Sequence, residues 1–298
     1  MPHMQSLWML VAAALFALMG LCVKLAGSLY SVPEIVFYRC ALGAAGLLLF
    51  ARLRGGSLRT TLAWMHLRRG VVGTASLTLW FYATTVMPLG TAMTLNYTSP
   101  LFLAAFTAGA ALAAGQRVDW RLAAAVGLGF VGVVLALSPS VHEGQTWAAL
   151  GGLASGVLSA IAYWHVRELG RLHEPEWRTV FYFSLAGAVL GLAGTLFTGF
   201  APHSPRGLLL LFGVALFATT AQLAMTRAFG KGSTLLAAAL QYSAIVFASG
   251  LGVLVFGDTL PPSGWAGIGI IVVSGVAATV LSSRAAARER AALATTDA

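Results

Sequence analysis

Charge is what this chain has least of. Of its 298 residues, 9% are Asp, Glu, Lys or Arg, against 58% that are apolar. Soluble domains carry about 25% charged residues, so there is too little polar surface here to coat a globule in water. That disfavours a soluble enzyme or binding module and leaves a protein whose solvent is lipid. Acidic residues are scarcer still, 9 against 18 Lys and Arg, and none falls near the middle of an apolar run. Proton exchange by a carboxylate at the bilayer midplane is thereby disfavoured. The 2 cysteines, Cys22 and Cys40, both sit inside apolar stretches, which excludes a disulfide framework and a thiolate metal site. No polar segment is long enough for a separate soluble domain, and there is no phosphate-binding loop, so ATP does not drive the chain directly. Of the 6 histidines, only His165 lies in an apolar run, with no acidic residue four positions away. A constellation for enzyme chemistry is missing, His165 is at most a minor candidate proton carrier, and no cofactor is expected.

What is present is hydrophobic length. A helix crosses the bilayer core with ~20 apolar residues. Ten runs qualify: 5–26, 33–51, 69–88, 91–113, 120–138, 147–167, 178–200, 206–228, 232–256 and 263–283. The expectation is an all-α integral membrane protein of ten transmembrane helices joined by short connections. No Lys or Arg precedes the first run and no clear cleavage site follows it, so it reads as a retained helix rather than a signal peptide. The basic stretch 57–69 reads either as a solvated loop or as a short helix lying on the membrane.

Basic residues are not spread evenly. Alternate connections (52–69, 115–121, 167–178, 227–231 and the tail after 283) hold 15 of the 18. Basic loops stay in the cytoplasm, so both termini are expected there, with the chain in a bacterial-type inner membrane. The net charge of +9 is then topogenic and does not call for a nucleic acid partner. The expected partners are the bilayer and a small-molecule substrate, with a monomer favoured.

The chain repeats. Shifting residues 90–120, "GTAMTLNYTSPLFLAAFTAGAALAAGQRVDW", by 142 places Gly90 on Gly232 and Gly115 on Gly257. A three-residue insertion near Pro261 and Pro262 then aligns Trp120 with Trp265. This divides the chain into halves of five helices, 1–139 and 147–283, followed by a basic cytoplasmic tail, 284–298. Five is odd, so the second half enters the membrane inverted relative to the first. Inverted repeats suit carriers, because related halves can rock about a central site.

Local motifs agree with one family. Lys24 closes helix 1, "PEIVFYRCALG" carries Pro33 and Arg39, "FYATTVMPLGTA" spans helices 3 and 4, and "YTSPLF" contains Pro100. In this order the chain resembles the EamA-type branch of the drug/metabolite transporter superfamily. The resemblance implies a helical basket around a central cavity lined by helices 1, 3, 4, 6, 8 and 9. It also implies transport of small metabolites or drugs, often export. Small multidrug relatives use a carboxylate in helix 1; Lys24 stands in helix 1 here, which disfavours cationic drugs. The second half has Tyr242 where the 142-residue shift puts Pro100, so matching bends in helices 4 and 9 are not expected.

Polar side chains within the spans are costly unless paired or facing water. Asn96 and Pro100 share a face of helix 4, with Met93 one turn earlier. Pro100 frees a carbonyl, so helix 4 is expected to bend there and present Asn96 and Tyr97 to the cavity. Tyr82 and Trp80 on helix 3, with Trp164, Gln222, Gln241 and Tyr242 in the second half, complete the candidate substrate-binding set. Asn96, Gln222 and Gln241 have a second reading as interhelical glue, and Trp164 as an interfacial anchor. Lys24, Glu34 and Arg39 form a second group: an external gate, with Lys24 and Glu34 pairing between helices, or an attractor for a carboxylate. Asp258 lies at similar depth. Aromatic rings for an apolar part, amides for a polar part and a cation for a carboxylate suit amino acids, aromatic ones especially, with export the expected direction. The alternative is import or exchange of a vitamin or nucleoside-like cofactor of the riboflavin or S-adenosylmethionine type, because "FYRCALG" and "HLRRGVVG" also resemble such branches. A channel or structural membrane protein is the minor alternative.

Overall fold

The computed structural model describes residues 2–87, 89–138, 143–257 and 259–296, and these form helices and their connections. A short lead, Pro2–Ser6, precedes α1, Trp8–Ala26. Then come α2, Val32–Leu53; α3, Ala63–Val86; α4, in two segments, Leu89–Asn96 and Ser99–Ala113; and α5, Trp120–Leu137. The second half holds α6, Thr146–Arg171; α7, Glu176–Thr198; α8, Pro205–Lys231; α9, in segments Thr234–Gln241 and Ser243–Leu251 with a π-helical end at Gly252–Phe256; and α10, Pro262–Thr296. Among the described residues, 8 helices are long and apolar enough to cross a membrane. The other two fall short: α3 carries His66, Arg68 and Arg69 in its first turns, and α4 is interrupted over Tyr97 and Thr98, whereas α9 is interrupted at Tyr242 alone.

The basic stretch is part loop, as one reading expected, and part helix, but not a separate helix lying on the membrane. Residues 55–62 are non-helical, and 63–69 are the first two turns of α3 itself. Helix 3 therefore starts six residues before the apolar run, and its basic turns are part of the helix.

Packing follows the repeat. Helix α2 lies on α7, α5 on α10, α1 on α8 and α3 on α6. If α1–α5 correspond to α6–α10, the first two pairs join counterparts. The last two are one contact seen from each half. A duplicated arrangement generates this scheme. At the α5–α10 crossing the backbones touch: a Cβ on Gly132 would come 2.7 Å from the Gly267 carbonyl oxygen. Small residues permit such approach where lipid gives no hydrophobic drive between helices.

The helix breaks correct the alignment. Helix α4 breaks after Asn96 and α9 after Gln241, each time at a tyrosine. Locally, Leu95-Asn96-Tyr97-Thr98 matches Leu240-Gln241-Tyr242-Ser243, a shift of 145 rather than 142. In both, the hydroxyl after the tyrosine donates to the leucine carbonyl three residues back, Thr98 at 2.5 Å and Ser243 at 2.6 Å. That side chain competes with the helix for its own backbone. Gly115 and Gly257 keep the 142 spacing, and both end their segments with left-handed φ, +66° and +68°. The breaks are thus matched, and α9 makes its own without a proline. The turn residue Pro88 and the outer Asp258 lie outside the described residues.

Candidate functional site

The halves enclose one large cavity, about 560 Å³, lined by α1 to α9. Met9, Arg69, Tyr163 and Met225 line one end, and Lys24, Val32, Gly252 and Leu260 the other. Between them stand Trp80, Met93, Asn96, Tyr97, Gln222 and Gln241, with Arg39 from α2. Among the described lining residues there is no carboxylate.

The breaks position the amides. A helix that stops at Asn96 and restarts at Ser99 turns Asn96 towards both α6 and the cavity. Its Nδ2 donates to Ser155 Oγ at 3.0 Å. Asn96 thus ties α4 to α6 and also lines the cavity. On the matching segment, Gln241 Nε2 donates to Tyr163 Oη at 3.4 Å, and its oxygen, Oε1, has no partner among the described residues. Gln222 is buried, with its Oε1 likewise without a partner among the described residues. Tyr163 stacks on Phe229 at 5.0 Å between centroids, and Ser76 bonds Ser159 at 2.8 Å beside it.

Three expected residues lie elsewhere. Tyr82 is 46% exposed and its ring rests near Gly151 of α6, outside the cavity lining. Trp164, one position after the cavity's Tyr163, is rotated off that face and carries the Arg167 guanidinium at 4.5 Å from its ring. Tyr242 is fully buried behind Tyr97, their centroids 6.4 Å apart, and packs on the bare backbone of Gly129. Pro100 is buried at the start of the second α4 segment and also lies off the lining. His165 is half-buried in α6 and does not line the cavity.

The outer ionic group divides. Lys24 and Arg39 line the cavity; Glu34 does not. Glu34 is fully buried, accepts from the Ala201 backbone N–H at 3.2 Å, and faces His203 Nε2 at 3.6 Å. It therefore ties α2 to the α7–α8 connection rather than to Lys24.

One site residue escaped the sequence reading. Arg69 counts there as a loop charge, but it sits in α3 with 3% of its surface exposed and lines the cavity. Its guanidinium lies 3.8 Å from the Phe183 ring centroid, a contact worth ~2 kcal/mol when desolvated. Nε and Nη1 have no hydrogen-bond partner among the described residues. The available signal was Gly73, four residues on, which leaves room for the guanidinium to fold along the helix: a Cβ there would stand 2.7 Å from Arg69 Nη1.

Comparison with known proteins agrees with this architecture. The EamA-like transporter family profile matches residues 3–138 and 146–280, one copy per half. The pseudopaline exporter of Pseudomonas aeruginosa (strain UCBPP-PA14) is 32% identical over 272 residues, covering 90% of this chain and 93% of the relative. A riboflavin transporter of Rhizobium johnstonii is 29% identical over 75% of this chain and 74% of its own length. A solved crystal structure shares the fold, with TM-score 0.79 over 94% of this chain and 99% of the other, at 21% identity. The chain belongs to the EamA-like transporter family: it is a multi-pass membrane transporter of small molecules and not an enzyme.

Proposed function

We propose that this chain exports small amphipathic, carboxylate-bearing metabolites of the amino-acid class, aromatic ones favoured, by alternating access in the bacterial inner membrane. The observation that carries the reading is the cavity's chemistry. Trp80, Tyr97 and Tyr163 offer ring faces, Asn96, Gln222 and Gln241 offer amides, and Arg39 offers a cation, with no carboxylate among the described lining residues. Rings stack on an apolar moiety, amides orient polar groups, and a guanidinium takes a carboxylate. Export accords with the name of the Pseudomonas relative.

The basic connections favour cytoplasmic termini, and halves of five helices favour an inverted orientation. On that placement the Lys24 end of the cavity faces outward. At the opposite end Phe229 and Leu236 are buried and the backbones of Gly170 and Gly230 touch, which supports an outward-facing state.

The test is flux of labelled tryptophan in liposomes containing the purified chain, with and without a pH gradient. Saturable flux indifferent to the gradient is expected. The second reading, carriage of a vitamin or nucleoside-like cofactor, has the Rhizobium riboflavin transporter in its favour. It takes over if riboflavin moves and tryptophan does not.

A further inference from the structure

We infer that Arg69, with Arg39 further along the cavity, forms an anion-binding subsite, so that among small amphipathic substrates those with net negative charge are favoured over zwitterions and cations. The inference deepens the carrier reading and rests on it.

Four observations converge. Arg69 lines the cavity with 3% of its surface exposed. Its buried Nε and Nη1 have no hydrogen-bond partner among the described residues. Arg39, also on the cavity, lines a small pocket with Phe183, the ring on which Arg69 packs. The described lining residues include no carboxylate to neutralise either. A buried guanidinium needs a partner, and its five donors suit an oxyanion. Phe183 holds the cation from one side and offers it no hydrogen bond. Beyond the Phe183 contact, Nε and Nη1 have no hydrogen-bond acceptor among the described residues, and a buried charged group left without one is costly. A carboxylate arriving with the substrate would supply both charge and acceptors.

The same argument separates anion from zwitterion. An amino acid brings an ammonium as well as a carboxylate. Among the described lining residues only neutral oxygens and ring faces can receive an ammonium, and two arginines repel it. A substrate whose amine is acylated or absent fits better.

Three probes sharing one ring isolate the charge: indole-3-acetate, tryptophan and tryptamine, titrated calorimetrically into the full chain in nanodiscs. The expected order of affinity is indole-3-acetate, then tryptophan, then tryptamine. The first and last should differ by about tenfold or more, the scale of a charge-assisted hydrogen bond. Arg69→Gln should abolish most of that preference. Arg117→Gln, which removes an exposed loop charge, should leave it intact. Gly73→Ala guards against a variant that does not fold. It deletes no charge, yet its methyl would stand 2.7 Å from Arg69 Nη1, so it should weaken indole-3-acetate alone. Equal affinities, preference for tryptamine, absence of indole-3-acetate binding, or an undiminished preference in a folded Arg69→Gln would each overturn the subsite. A chain that moves tryptophan in liposomes yet shows no charge preference keeps the carrier and loses this site.

Discussion

Tyr97 and Tyr242 hold equivalent places after the two helix breaks, yet they face different surroundings. Tyr97 lines the cavity; Tyr242 is fully buried, its ring against Gly129 and its hydroxyl without a partner among the described residues. A buried hydroxyl that makes no hydrogen bond costs about 1–3 kcal/mol, so the ring is what the site retains. Tyr242→Phe should therefore melt at the same temperature as the parent or higher, with tryptophan flux unchanged. A drop equivalent to ~1 kcal/mol would reveal a partner for the hydroxyl; lost flux would return Tyr242 to the binding set.

At the scale of elements, the broken helices matter most. Gly156 of α6 sits under the α4 break, where a Cβ would come 2.8 Å from the Leu95 carbonyl oxygen and 3.3 Å from that of Asn96. These backbone atoms cannot swing away as a side chain would. Gly156→Ala should destabilise by about 1–3 kcal/mol, read as a lowered melting temperature. Gly46→Ala, where nothing lies within 4 Å, should cost nothing and gain up to ~1 kcal/mol of helix propensity. Equal behaviour of the two variants would mean that α6 does not approach the break so closely. The break also marks where the sequence stopped being legible. Apolar length gives the number of helices, because a bilayer sets it. Pro100 advertises one break. The other is specified by Ser243 bonding back to Leu240, and no proline marks it. Rotation about a helix axis is harder still. Trp164 adjoins a cavity residue and yet faces Arg167. Arg69 reads as a loop charge until α3 is known to begin at Ala63.

Across the whole molecule, the halves are also joined at the basic start of α3. Arg178 donates to the Ser57 carbonyl at 2.7 Å and to Glu174 at 3.1 Å, Glu174 meets His66 at 2.8 Å, and Tyr182 Oη donates to the Leu58 carbonyl at 2.8 Å. Residues 55–62 of the first half are thus strapped to the first turns of α7, with Glu174 of the α6–α7 connection bracing Arg178 and His66. Burial raises the Glu174 pKa, but hydrogen bonds from His66, Thr60 and Arg178, with the Arg178 charge, outweigh it and hold the carboxyl below its ordinary value. A carboxyl lowered on folding contributes stability that is complete above its unfolded pKa and is lost as pH falls through the folded one. Amide exchange in 55–62 should therefore rise on acidification below the ordinary carboxylate range, and Glu174→Gln should raise it at neutral pH. Flat exchange under both would show that the strap holds without Glu174.

The strap and the packed Phe229 end lie on one side of the molecule, and the cavity mouth at Lys24 lies on the other. A carrier at rest in this state exposes its lining to one compartment only. In a chain with Cys22 and Cys40 replaced, Ser249→Cys near the mouth and Met225→Cys at the closed end report on the two depths, since both line the cavity. A membrane-impermeant maleimide should label both from the outside of right-side-out vesicles, Met225→Cys more slowly because it lies deeper, and neither from the cytoplasmic face. Prior addition of indole-3-acetate should slow Met225→Cys more than Ser249→Cys, since the anion would occupy the Arg69 end. Labelling of Met225→Cys from the cytoplasmic face alone would reverse the orientation of the cavity or of the resting state. Repeating Ser249→Cys separates these cases: an inverted chain labels it from the cytoplasm, and a chain resting inward-open protects it from both sides.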